Sequence, residues 1–226
     1  MFKKILWLNI KDIIFNLNYW WQALVCIFIG NATFLSYSLE NENLLLAKLF
    51  STYTAMFIFS LSLNVIEIAA VEKSTSRLEF YLANGVNAKK VCWCYSISSF
   101  ILGFITTIFI SLCFLIRFHN LNLFMSKNLI ALLSAGLICF CASLLLNTAA
   151  FFIKNPLAMR GVVVIIFFAV FFLPQLLIPF LIKNNFPYMQ FLSGLILISL
   201  ALSIILLVAF LIASSKLKNE KIILSK

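Results

Sequence analysis

The chain has 226 residues, of which 64% are hydrophobic and only 11% charged, a balance that excludes a water-soluble fold and places most of the sequence in lipid. Its net charge of +10 invites a nucleic-acid reading, but the positions of the basic residues do not. With the N-terminus inside, thirteen of the 17 Lys and Arg fall on cytoplasmic segments, and four, Lys48, Arg117, Lys127 and Lys183, fall on the other side. That bias predicts cytoplasmic termini, with the basic charge setting topology and meeting lipid headgroups rather than nucleic acid.

A hydrocarbon core of about 30 Å takes roughly 20 apolar residues per helix. Six runs qualify: 19–39, 44–71, 91–117, 128–153, 161–182 and 191–213. Stretches such as 162–173 and 195–211 are apolar on every face, which rules out the alternation of a β-barrel strand. The expected fold is an all-α membrane protein, one domain over 1–226, with six transmembrane helices. The opening segment lacks a small-residue cleavage site and reads as part of the mature chain, which is expected to start at Met1.

Ahead of the first span, Phe2, Leu6, Ile10, Ile13 and Leu17 form a stripe at helical spacing, with Lys4, Lys11 and Asn18 opposite. The pattern predicts an interfacial helix over about 2–18, with Trp7, Tyr19, Trp20 and Trp21 near headgroup depth. A frayed basic flank is the alternative. In the second span Glu67 stands one turn from the cytoplasmic end. An acid there is costly, so it either pairs with Lys154 or Arg160 or serves gating or substrate passage.

The longest polar stretch, 72–90, follows. Ser76-Arg77-Leu78-Glu79 reads as a capping box, Phe80, Tyr81 and Leu82 continue a short helix, and Asn84-Gly85 supplies a left-handed stop. Asn87-Ala88-Lys89-Lys90 then restarts a helix leading into the third span. This helix-turn-helix is predicted to project on the cytoplasmic side, where it suits contact with a soluble partner. Phe80 and Tyr81 are the expected anchors, and Glu72, Arg77 and Glu79 set the register. Farther on, Pro174 and Pro179 break or bend the fifth span, either lining a pathway or shaping an outer turn.

Catalytic chemistry is missing from the pattern. The six glycines are never closer than 18 positions, so no phosphate cradle forms. With one histidine, His119, and one aspartate, Asp12, neither a triad nor a metal cluster can be assembled, and no enzyme activity or cofactor is expected. His119 is either a solvated loop residue or a lone axial haem ligand. The six cysteines lie in or beside apolar runs and read as small packing residues, because Cys92-x-Cys94 and Cys139-x-Cys141 point to different helix faces.

The segment Glu72 to Asn87, with Leu78-Glu79 at its centre, resembles the loop between spans two and three of ABC-2 type transporter membrane subunits. Ser76 stands where that family commonly has Gly, and Gly85 where it commonly has Pro. Leu45-Leu46-Ala47-Lys48, Glu67 and Leu78-Glu79 in that order, with Arg160-Gly161, Leu173-Pro174 and Ile178-Pro179 later, are most similar to the cytochrome c maturation protein B family, also called haem exporter protein B. The resemblance implies a permease subunit of the bacterial inner membrane without nucleotide-binding motifs of its own. Its expected partners are a separate ATPase, a second membrane subunit and membrane lipid. The ATPase would couple through Glu72, Arg77, Leu78, Glu79, Phe80 and Tyr81, and the complex would handle or export haem for c-type cytochromes. Trp7, Trp20, Trp21 and Trp93 all lie outside the outer loops, which suits a subunit that transmits motion more than one that grips haem. Export of a peptide, drug or lipid-linked glycan, and a membrane assembly role without transport, are the competing readings.

Overall fold

A computed structural model describes residues 2–15, 17, 20–21, 24–25, 27–28, 49–58, 72, 76–118, 121–153, 161, 165, 168–169 and 188–217. All regular structure among them is helical: α1 (Phe2–Ile14), α2 (Leu49–Ile58), α3 (Arg77–Ala83), α4 (Ala88–Phe118), α5 (Leu121–Phe152) and α6 (Tyr188–Ser215). Three stretches are long and apolar enough to cross a bilayer, namely Ala88–Cys113, Leu129–Phe152 and Ile196–Ser215. They fall on the third, fourth and sixth expected spans. The second is represented by α2, and the first and fifth by isolated helical residues. Glu67, Lys154, Arg160, His119, Pro174 and Pro179 lie outside the described residues, as do Leu45 to Lys48 of the family resemblance.

The long helices pack in chain order, α4 on α5 and α5 on α6, and α1 lies against α4. Two clusters of buried side chains hold them. In the first, Phe57 of α2 stacks on Phe100 of α4 with ring centroids 5.5 Å apart, and Phe100 meets Phe140 of α5 edge-on at 5.3 Å. Gly136 makes room for this aromatic packing. A Cβ there would touch the rings of Phe100 and Phe57 at 3.4 Å, so larger side chains would displace them. Small residues on α5, Ala131, Ala135 and Cys139, continue the same close approach.

The second cluster gathers Ile5 and Ile13 of α1, Leu78 and Tyr81 of α3, Tyr95 of α4, Phe151 of α5 and Phe210 of α6. The N-terminal helix, the start of α4 and the ends of α5 and α6 therefore meet at one end of the bundle. Lys3, Lys4, Lys11, Arg77, Lys89, Lys90 and Lys216 are carried by the elements that meet there.

The buried face of α1 differs from the expected stripe. Ile5, Asn9 and Ile13 are buried, whereas Leu17 is exposed and Leu6 and Ile10 are only half-buried. The apolar sector is broad: one edge packs on α4, and the other, with Ile14 and Trp7, stays uncovered. Trp20 donates its indole N–H to the Ile14 carbonyl at 2.7 Å, satisfying one acceptor at the end of α1. Four cysteines, Cys92, Cys94, Cys139 and Cys141, are buried as expected of small packing residues, but Cys113 is exposed on α4. Cys92 meets Thr148 of α5 and Cys94 meets the Phe2 carbonyl of α1, so the two do point to different neighbours.

Candidate functional site

The polar element ahead of α4 is held at both ends by backbone chemistry. At its start Ser76 is the N-cap residue of α3, but the expected capping box does not form. Ser76 has φ 56° and ψ 13° and makes no side-chain cap bond. A capping side chain reaches the first-turn amides from the extended region of backbone space, and the left-handed conformation turns Cβ away from them. The Ser76 carbonyl still accepts from the Phe80 N–H at 3.0 Å.

The stop at Asn84-Gly85 forms as a full Schellman motif. Gly85 has φ +77°, its N–H donates to the Leu82 carbonyl at 3.1 Å, and the Val86 N–H donates to the Tyr81 carbonyl at 3.0 Å. Val86 and Tyr81 are both in the buried cluster, giving the apolar contact that accompanies the motif. Proline, with φ fixed near −65°, could not occupy this geometry. Asn84 adds a side-chain bond to the Phe80 carbonyl at 2.7 Å. Asn87 then caps α4, its Oδ1 accepting from the Lys89 N–H at 2.9 Å. A four-residue link, 84–87, with bonded groups on both sides, leaves α3 little freedom to swing independently of α4.

The six residues expected to meet a partner divide by face. Leu78 and Tyr81 point inward, Tyr81 being only 8% exposed, and Phe80 points outward at 64%. The expected pair of surface aromatics is therefore one surface aromatic and one anchor. At (i, i+3, i+4) spacing Leu78, Tyr81 and Leu82 share the buried side of so short a helix, and Phe80 falls opposite. Arg77 is exposed and bonds Asp12 of α1 through Nη1 to Oδ2 at 3.0 Å. Both partners are about half exposed, so the pair fixes orientation more than it stabilises. Glu79 is half-buried on the first turn of α3.

Glu72 is not on the surface. It is 3% exposed and accepts a hydrogen bond from the Tyr95 hydroxyl at 2.7 Å. Burial raises its pKa, against the lowering effects of the Tyr95 bond and the nearby Arg77 charge, while Asp12 raises it further. It thus joins the chain entering α3 to α4. The sequence reading missed Asp12 and Tyr95 as partners. A phenol in an apolar run does need an acceptor, but nothing in the spacing names Glu72 as that acceptor.

Deeper in the bundle a polar seam crosses from α4 to α5. Asn147 donates through Nδ2 to Ser96 Oγ at 2.7 Å, and both are fully buried. Among the described residues, the buried Asn147 Oδ1 and, on α1, the Asn9 Nδ2 find no hydrogen-bond partner. Compared with known protein families, curated proteins and solved structures, the chain matches none of them.

Proposed function

We propose that this protein is the membrane subunit of an ABC transporter, driven by ATP hydrolysis on a separate subunit and working with a second membrane subunit, identical or not. The observation that carries the reading is the clamped α3. A seven-residue helix leaves Phe80 exposed while Leu78, Tyr81 and Leu82 fasten it to the bundle. Energy from a soluble partner reaches the spans only through a contact whose free energy differs between conformational states. A helix stapled to the start of a long apolar helix by Schellman and Asn87 caps can carry such a displacement. The Arg77–Asp12 pair and the Glu72–Tyr95 bond couple it as well to α1 and to the second turn of α4.

The resemblance to the cytochrome c maturation protein B family favours haem delivery to c-type cytochromes as the work done, in the bacterial inner membrane with cytoplasmic termini. The test is purification of the tagged chain from the cells that make it, with ATP hydrolysis and haem staining of c-type cytochromes measured in parallel. Co-purification of a P-loop ATPase, and loss of stained cytochromes when the chain is deleted, are the expected results. An ATPase with unchanged cytochromes would move the substrate to a peptide, drug or glycan. Absence of any ATPase would leave the non-transporting assembly role.

A further inference from the structure

Beside the turn joining α3 to α4, a half-open cleft of about 360 Å³ separates the start of α1 from the start of α4. Phe2 and Ile5 of α1, Val86 of the turn and Cys94 of α4 give it apolar walls, and Asn87 and Lys90 give it a polar side. The Cys94 thiol donates to the Phe2 carbonyl at 3.7 Å, tying the two walls together. Lys90 is exposed and sits in the first turn of α4, after Lys89, and that turn contains no acidic residue. Two cations at a helix N-terminus oppose the macrodipole, so an anion beside them relieves a conflict built into the fold.

We propose that this cleft seats one anionic phospholipid from the leaflet in which α1 lies, with the phosphate against Lys90 and the glycerol and first acyl carbons against Phe2, Ile5 and Val86. The occupant follows from the pairing of surfaces. Apolar walls give a free phosphate nothing, and a single cation at the rim gives a neutral acyl chain nothing, but an amphiphile uses both. The height is also right, because Lys90 is the third residue of the stretch Ala88–Cys113 that is long enough to cross the bilayer. Lys3 and Lys4, exposed on the same turn of α1 as Phe2, add to the positive field around the opening.

The proposal rests on the membrane reading of the chain, and the experiment separates the two. The full-length protein is extracted from membranes washed with alkaline carbonate, delipidated, and titrated with phosphatidylglycerol, phosphatidylcholine or inorganic phosphate under native mass spectrometry. One phosphatidylglycerol should bind in preference to phosphatidylcholine, and inorganic phosphate should not displace it. Lys90→Glu should weaken binding by about thirtyfold, at about fivefold per unit of interfacial charge. Lys90→Arg should restore it, and Phe2→Trp, which narrows the cleft without changing charge, should weaken it too. Lys11→Glu, an exposed cation on α1 outside the cleft, should change it by less than about fivefold. Equal losses in Lys11→Glu and Lys90→Glu, no preference for phosphatidylglycerol, or displacement by phosphate would overturn the site while leaving the membrane reading intact. Loss of the protein to the carbonate wash would overturn both.

Discussion

The aromatic cluster between α2, α4 and α5 and the polar junction of α1, α3 and α4 are built on different principles. The first is centred on stacked rings over a glycine, Phe57 and Phe100 above Gly136, with the Cys139 thiol donating to the Thr54 carbonyl beside them. The second has an apolar core of its own and is also positioned by named bonds: Glu72 to Tyr95, Arg77 to Asp12, Asn87 to Lys89, and the backbone bonds of the Gly85 and Val86 N–H groups. Close packing tolerates little displacement because each lost contact opens a void. Of the junction's bonds, the half-exposed Arg77–Asp12 pair can exchange with water at small cost, whereas the Glu72–Tyr95 bond is buried.

Overpacking the aromatic cluster should give the largest effect. Gly136→Leu must push the Phe57 and Phe100 rings apart and should cost about 3 kcal/mol, read as a lower unfolding temperature in detergent with little folded protein recovered. Gly136→Ala, whose Cβ only reaches contact distance at 3.4 Å, should remain near wild type. If Leu is as well tolerated as Ala, the rings do not set the spacing of α4 and α5.

A smaller and pH-dependent effect is expected at Glu72. Its pKa is raised by burial, so the folded state favours the neutral acid. Stability is therefore fully present below the unfolded carboxylate pKa, about 4.3, and is lost as pH rises through the raised folded value. Glu72→Gln stays neutral and keeps an acceptor for the Tyr95 hydroxyl. Its unfolding temperature should match the wild type near pH 4 and exceed it increasingly toward neutral pH. A wild type more stable than the Gln variant at neutral pH would mean that the ionised carboxylate is the form the site prefers.

The smallest effect sharpens the contrast at a single backbone position. Ser76 holds φ 56° without a capping bond, and a left-handed conformation costs a non-glycine residue about 1–2 kcal/mol. Ser76→Gly should relieve part of this, offset by the greater freedom of glycine in the unfolded chain, for a net gain of at most about 1 kcal/mol. Destabilisation by that change would show that the Ser side chain contributes something the capping geometry does not include.

Much of this arrangement was legible in the residues. Apolar runs of span length gave α4, α5 and α6, and Asn84-Gly85 and Asn87 gave the stop and the restart because their chemistry is local. The orientation of α1 was misjudged by about one helical position, since Leu6 and Ile10 are as apolar as Ile5 and only the partner decides which edge is covered. Tyr81 was read as a surface anchor for a similar reason: a seven-residue helix has too few turns for periodicity to reveal which side faces inward. The Arg77–Asp12 and Tyr95–Glu72 contacts bring together residues 65 and 23 positions apart, and no spacing rule in one sequence encodes such pairs.

The most direct test separates the two neighbouring aromatics. Phe80→Ala and Tyr81→Ala are made separately, and each variant is measured for unfolding temperature and for the amount of ATPase that co-purifies. Phe80→Ala should unfold like the wild type and lose most of the ATPase, because Phe80 is 64% exposed and lies outside the buried cluster. Tyr81→Ala should lose about 3 kcal/mol of stability through the cavity it leaves, with ATPase recovery falling only in step with folded protein. Full ATPase recovery in Phe80→Ala, or a loss of stability there equal to that of Tyr81→Ala, would contradict the division of α3 into an anchored face and a docking face.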